Sequence, residues 1–426
     1  MKEYMNMPKS HKKKGGKPVF AGAQGCVFKP ALKCKHRPRD IHDGNVSKLG
    51  YVKSSMFEMR EYEQIHPFIS QIKDYDKYFN IRVSMCEPDA LAPEDLDGFN
   101  NVCHLFTDTS IDASNVNANL DKLRAINMPD LGTDLKDWME QSPLDARRMR
   151  HLNNHVSELL VRAVVPMNQL GVMHNDLKSE NLMMDRAGAH LRIIDWGLAG
   201  VATPQAPIPD RYFMNNPVTF NRPFSTMIVS DDLHQGPAPA PEEVAPFVAE
   251  RYQEYRELAP TGHDYYVYIF KTMFGLPTEA ATRMVHAAVE RYNADILRHY
   301  TDDRRQFRLH DYFSKVYRYN TDVWGTLSVF YSVFMLPRSH FNLPDAVYHD
   351  MLRRYRALFT ASVFVNGHLR MNVQHIAHQL RQISDAVNKP KPLKKTVRFN
   401  IDARKNKTRH IQRVPTPYPV AVRFLQ

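Results

Sequence analysis

The sequence predicts an α+β chain of two lobes, a small β-rich lobe with one helix followed by a larger, mainly helical lobe. Three observations predict it. From Val19 to about Met85, short apolar runs set between Gly and Pro give way to a charged helical stretch, the pattern of a small sheet carrying one helix. Beyond the chain-breaking run Pro129-Asp130-Leu131-Gly132 the period becomes helical, and Leu152, Val156, Leu159, Ala163, Met167 and Leu170 recur at spacings of three and four. Asp322 to Met335 is apolar almost all round, a pattern suited to a helix buried inside a domain.

Taken in order, residues 1–18 form a basic flexible arm with six Lys and one acid. The first lobe runs over 19–127, with 87–119, rich in Asn, Asp and Ser, read as a loop and Leu120 to Met128 as a strand. The second lobe runs over 128–386 and holds an insertion at about 203–318. There a Pro-rich irregular stretch (203–240) precedes amphipathic spacing over Pro241–Leu258 and Thr278–Tyr300. Residues 387–426 carry eleven Lys/Arg and one acid and read as a disordered basic tail. The formal net charge of +11 therefore sits in the two ends, because the body between them holds 40 bases and 44 acids. Such ends attract polyanions weakly through charge alone.

The longest mainly apolar stretch, Val323 to Leu336, falls well short of the roughly 20 residues that cross a bilayer, and no signal-peptide segment opens the chain. The expectation is a soluble, non-secreted, cytoplasmic protein with no membrane partner. Four cysteines (Cys26, Cys34, Cys86, Cys103) give neither a disulfide framework nor Cys-x-x-Cys metal spacing, so reduced thiols are expected.

The chemistry concentrates in two runs. His174-Asn175-Asp176-Leu177-Lys178-Ser179-Glu180-Asn181 has the form H-x-D-L-K-x-x-N, and fourteen residues after Asn181 stands Asp195 in Ile193-Ile194-Asp195-Trp196-Gly197. Together, in this order and after a helical stretch, they resemble the catalytic loop and metal-binding loop of the protein kinase family. The resemblance implies a two-lobed kinase fold and ATP-dependent transfer of the γ-phosphate to protein hydroxyls, with ATP and Mg²⁺ as cofactors. Asp176 would accept the hydroxyl proton, Lys178 would neutralise the transferring group, and Asn181 and Asp195 would hold the metal.

The same resemblance places further residues. Gly22-Ala23-Gln24-Gly25-Cys26-Val27 looks like the latter part of a phosphate loop, with Phe20 where its first glycine belongs. Val46-Ser47-Lys48 is similar to the strand that carries the phosphate-binding lysine; Lys48 is chosen and Lys33, in a basic insertion reaching Arg39, is the competitor. The lysine's partner is sought among Glu58, Glu61 and Glu63. Glu61 is chosen because it places apolar Ile65 one turn on, whereas Glu63 would place Pro67 there. Met128-Pro129-Asp130-Leu131-Gly132-Thr133-Asp134-Leu135 resembles a hinge ending in G-x-D-L, and aligning Gly132 and Asp134 makes Asn127 the gatekeeper. The Met128 carbonyl and the Asp130 amide would then face adenine. Asn320-Thr321-Asp322-Val323-Trp324-Gly325 looks like the start of the buried central helix, with Asp322 fixing the catalytic loop's backbone. Ala240-Pro241-Glu242 spells a family tripeptide but stands too far before Asp322, and is read as accidental.

Departures from the family pattern carry their own implications. Asn175 stands where the arginine that reads a phosphorylated activation loop belongs, so control by loop phosphorylation is doubtful. Trp196 replaces the usual Phe. Lys178 favours serine or threonine acceptors. A small-molecule kinase of the aminoglycoside or choline type and a catalytically dead pseudokinase remain alternatives. The whole set, including Phe220-Asn221-Arg222-Pro223-Phe224, resembles the divergent kinases of large nucleocytoplasmic DNA viruses, which would place the chain in host cytoplasm or virion. In the tail, Lys394-Lys395-Thr396-Val397-Arg398-Phe399 matches the short docking motif read by type-1 protein phosphatase, through Lys395 to Phe399.

Overall fold

Strand β1 (Lys17–Gly22) turns back into β2 (Gly25–Lys29), and β3 (Asn45–Tyr51), β4 (Ser84–Cys86) and β5 (Leu123–Pro129) complete an antiparallel sheet in the order β1-β2-β3-β5-β4. The computed structural model describes residues 16–22, 25–35, 44–185, 188–209, 220–228, 233, 236–258 and 260–388. Residues 1–15 of the basic arm, the loop around Arg39, and the tail from residue 389 with its Lys395–Phe399 motif lie outside the described residues.

Helix α1 (Val52–Ile69) follows β3 directly, and its buried positions are Ser55, Glu58, Glu61, Tyr62, Ile65 and Ile69, spaced mainly at three and four, so one side faces inward. Pro67 falls in its last turn, where a single missing N–H does little harm.

Strand alternation divides the sheet residues between two faces. Direct pairing sets Lys48 against Val27 and Ile126, and Val46 against Met128, on one face; Ser47 against Phe28 and Asn127, and Leu49 against Cys26 and Ala125, lie on the other. The second face is not solvated. Residues 87–119, expected to be a loop, contain two short helices, Phe99–Val102 and His104–Thr107, that pack Phe99 and Phe106 over Cys26, Phe28, Leu123 and Ala125. The period there is too short to stand out from the Asn- and Asp-rich background.

The cover is cross-linked to the sheet, which corrects the expectation of four free thiols. Cys26 of β2 is bonded to Cys103 and Cys34 to Cys86 of β4, with Cα–Cα distances of 5.4 and 5.8 Å. Sequence separations of 77 and 52 leave no local spacing signature, so only the tertiary pairing of cover and sheet reveals the two bridges.

In the second lobe, α2 (Ala146–Leu159) continues through a π-helical turn, Leu160–Val164, to Gln169. All of the predicted stripe is buried except Leu170, which is partly so. A small sheet of order β8-β7-β6 follows, from β6 (Thr133–Asp134), β7 (Leu182–Met184) and β8 (Leu191–Ile193). Within the stretch expected as an insertion stand α3 (Val244–Leu258), α4 (Pro260–Phe274) and α5 (Thr278–Tyr300). The sequence reading lacked α4, whose aromatic run Tyr265-Tyr266-Val267-Tyr268 hides its period. The central helix α6 (Arg318–Ser328) is buried at every position from Asn320 onward, and α7 (Val373–Asn388) packs against α2. Among the described residues no helix is long and apolar enough to cross a membrane.

Replacing Cys103 or Cys86 with serine is expected to lower unfolding free energy by about 2–5 kcal/mol each. Chemical denaturation of the oxidised wild type and of each variant measures the loss; equal stabilities would show that the bridges do not hold the cover.

Candidate active site

Residues from four chain segments converge on one cleft. On the sheet's cleft face, Lys48 Nζ meets Glu58 Oε2 of α1 at 2.8 Å, with 16% and 4% of the side chains exposed. Glu58, not Glu61, is therefore the lysine's partner. Tyr62 supplies the apolar side chain one turn on, buried in the same cluster as Phe79 and Trp196; the sequence argument compared only Ile65 and Pro67 for that place. Burial pushes the Glu58 carboxyl above its ordinary range, Lys48 draws it back down, and the nearby charge of Asp195 pushes it further up. Lys33 is held elsewhere: its carbonyl accepts from the Asp89 amide.

Gly25 permits β2 to close on this site, since a Cβ there would come within 2.6 Å of the Leu49 carbonyl and 3.0 Å of Lys48 Cγ. Gly22 pairs with Gly25 across the turn, and Val27 lies directly opposite Lys48. Phe20, paired with Val27, is 63% exposed where the family pattern has glycine.

The hinge differs from the sequence alignment by one residue. Asn127 points to the covered face, where its Nδ2 donates to Cys34 Sγ at 3.1 Å and its Oδ1 accepts from Ser47 Oγ. It is no gatekeeper. Met128, opposite Val46, lies on the cleft face with Ile126, opposite Lys48. The Asp130 amide donates to the Gly44 carbonyl at 2.8 Å and so is not available to a base, while its carboxylate pairs with Lys29 Nζ at 2.9 Å. By the alternation of an antiparallel ladder, the Met128 carbonyl points toward β3 as well. The Pro129 carbonyl and the Leu131 amide come next in the chain. Asp134 caps the helix Leu135–Glu140 by accepting from the Asp137 amide at 2.9 Å, and burial raises its carboxyl above its ordinary range.

The loop 174–181 is built on Asp322. This fully buried carboxylate accepts from the His174 amide at 2.9 Å and from Asn168 Nδ2 at 2.7 Å through Oδ2, and from the Asn175 amide at 2.8 Å through Oδ1. The role read from the sequence is the one the geometry displays. Burial raises the Asp322 carboxyl, and the charge interaction with His174, followed by the three N–H donors, opposes that shift. Asn175 is held at φ +64°, a conformation asparagine tolerates better than most residues, and it turns the next residue toward the cleft.

Asp176 there is densely bonded. Its Oδ2 receives Lys178 Nζ at 3.0 Å and Asn181 Nδ2 at 2.9 Å, and its Oδ1 receives Asn221 Nδ2 at 2.9 Å. With its Nδ2 committed to Asp176, Asn181 keeps Oδ1 as a free-facing acceptor. Asp195 sits at φ +62° between Ile194, whose amide donates to the Asn181 carbonyl at 3.1 Å, and Trp196. Trp196 stacks near His174, 4.9 Å between ring centres, and its Nε1 donates to the Asn80 carbonyl at 3.2 Å, an anchor the usual Phe lacks. Asn181 and Asp195 are oxygen donors of the hard kind that suits Mg²⁺.

Two site residues escaped the sequence reading. Asn221 and Arg222 belong to a run noted only as a resemblance, yet Asn221 reaches Asp176, and Arg222 Nε donates to the Asn175 carbonyl at 2.8 Å. No spacing rule links position 221 to position 176. Asn175 in turn donates through Nδ2 to the Leu198 carbonyl at 3.0 Å. The tripeptide Ala240-Pro241-Glu242 is adjacent to a different ion pair, Arg305 with Glu243 at 3.0 Å.

The fold is a two-lobed, kinase-like one. A family model described as a protein kinase domain matches residues 125–219, about a fifth of the chain, which spans the hinge, the loop of Asp176 and the loop of Asp195. The match supports placing the chain in the eukaryotic-type protein kinase superfamily, a class that transfers phosphate to proteins using ATP and a divalent metal.

Glu58→Gln is expected to lower phosphoryl transfer about tenfold or more, whereas Glu61→Gln leaves it near wild type. Steady-state rates of both purified variants decide between the two glutamates.

Proposed function

We propose that the chain is an ATP- and Mg²⁺-dependent kinase of protein serine and threonine hydroxyls. The observation that carries this reading is the convergence of Asp176, Lys178, Asn181 and Asp195 with the Lys48–Glu58 pair on one cleft. Asp176 accepts the hydroxyl proton, and its carboxylate is already oriented by Lys178, Asn181 and Asn221. Lys178, bonded to the same carboxylate, lies beside the path of the transferring group and favours an aliphatic hydroxyl acceptor. Lys48, fixed by Glu58, orients the α- and β-phosphates. Val27 and Met128 on the cleft face contact the base, and the Pro129 carbonyl and Leu131 amide hydrogen-bond its edge. Proline lacks only an N–H, which this register does not use. When bound through Asn181 Oδ1 and Asp195, Mg²⁺ supplies neutralisation of phosphate charge.

Asp195→Ala is expected to abolish Mg·ATP-dependent phosphorylation of a generic protein such as casein with the fold intact by circular dichroism. Asp176→Asn is expected to lose on the order of 10²–10⁴-fold in kcat while still binding nucleotide. Near wild-type kcat in Asp176→Asn would falsify the assignment of the base.

Regulation follows from the groups around Asn175. Its side chain is uncharged where the family pattern has arginine, and its Nδ2 donates to the Leu198 carbonyl, so position 175 supplies no cation for a phosphate. Exhaustive phosphatase treatment is expected to leave activity largely unchanged; loss of most activity, recovered on autophosphorylation, would overturn this.

A further inference from the structure

We infer that Asn221 is a positioning residue for Asp176, held in place by the helices that follow it, so that the reactive carboxylate is oriented without a phosphorylated loop. The inference rests on the kinase reading above and adds to it the source of the orientation.

Asn221 is 1% exposed, and its Nδ2 lies between two oxygens, Asp176 Oδ1 at 2.9 Å and the Leu177 carbonyl at 3.1 Å. Two oxygen neighbours fix which way the amide faces, because the reverse orientation would set oxygen against oxygen. Lys178 and Asn181 take the other carboxylate oxygen and belong to the same loop as Asp176, whereas Asn221 arrives from 45 residues downstream. It is the group that references the carboxylate to the body of the lobe.

The segment carrying Asn221 is bonded on both sides. The Phe220 carbonyl accepts from Trp324 Nε1 of α6 at 3.1 Å. The Arg222 carbonyl accepts from Tyr266 Oη of α4 at 3.1 Å, and the Phe224 carbonyl accepts from Asn293 Nδ2 of α5 at 3.3 Å. The Phe224 ring is fully buried, with ring centres 5.2 Å from Tyr266 and 5.0 Å from Trp324. Gly325 lets α6 approach: a Cβ there would stand 2.6 Å from the Leu177 carbonyl and 3.1 Å from that of Asn221. The helices between Asp195 and Asp322 thus act as a buttress, and Asn221 transmits their position to the base.

A purely structural amide and a positioning amide respond differently to an isosteric exchange. Asn221→Asp keeps size and shape but replaces the donor with an anionic acceptor beside Asp176; Asn221→Ala removes the donor; Asn221→Ser keeps a shorter one. With folding checked by thermal melting, kcat on casein is expected to fall about tenfold to a hundredfold in Asn221→Ala and at least as far in Asn221→Asp, with Asn221→Ser between Ala and wild type. KM for ATP and the thermal shift with Mg·ATP are expected to stay near wild type in all three. A folded Asn221→Asp with near wild-type kcat overturns the inference, as does a loss that appears wholly in KM for ATP. A wild-type protein that transfers no phosphate fails differently, since it removes the kinase reading itself before any variant is compared.

Discussion

Asp322 carries a carboxylate into the middle of the helical lobe, where it is fully enclosed, and gives both oxygens to N–H groups around the catalytic loop. Desolvation raises its carboxyl, and the charge interaction with His174 opposes that shift together with the hydrogen bonds from its three amide donors. What that arrangement provides is geometry. With the amides of His174 and Asn175 pinned, Asn175 is kept at positive φ, Asp176 emerges toward the cleft, and His174 Nε2 is in reach of the Ile194 carbonyl at 2.9 Å. The loop of Asp195 is thereby tied to the loop of Asp176 through side chains that never touch a substrate.

Most of the lobe architecture was legible because it rests on periodicity. The α2 stripe, the all-round apolar α6 and the break at Pro129–Gly132 are each visible in the residues alone. Lys48, Asp176, Asn181 and Asp195 were singled out for another reason: each lies in a short run of residues whose spacing resembles a known motif. What failed depended on pairing across the chain. Whether Asn127 or Met128 faces the cleft is a question of strand register, and a one-residue slip exchanges the two faces. The choice of Glu58 over Glu61 turned on which helix face meets the sheet, and Tyr62 fills the apolar place that the sequence reading gave to Ile65.

The same limit explains the cysteines. One bridge joins the cover layer to β2 and the other joins the loop before β3 to β4, and neither partner announces the other in sequence. Once formed, the Cys34–Cys86 bridge does more than tie that loop to the sheet. Asn127 reaches both sulfurs, Cys34 at 3.1 Å and Cys86 at 3.5 Å, and its oxygen takes the Ser47 hydroxyl, which itself accepts from the Leu32 amide at 2.8 Å. Ser47 precedes Lys48. The strand entering the hinge and the strand bearing the lysine are therefore bonded to one another on the covered side, which leaves the opposite side free of structural duties.

That opposite side has an electrostatic balance which itself argues for a divalent cation. Lys48 is paired with Glu58, and the Asp195 charge acts on Glu58 against its ionisation. Lys178 is already matched by Asp176. A triphosphate entering such a cleft brings several negative charges to a place where the nearby lysines already have carboxylate partners. Direct repulsion between Asp195 and the phosphates would then exceed what Lys48 alone can offset. In the proposed reading Asp195 and Asn181 would hold a hard cation, which would offset that repulsion. The carboxylate that looks like a liability beside Glu58 is, on this argument, the reason the cleft would select a metal-bound nucleotide over a free one.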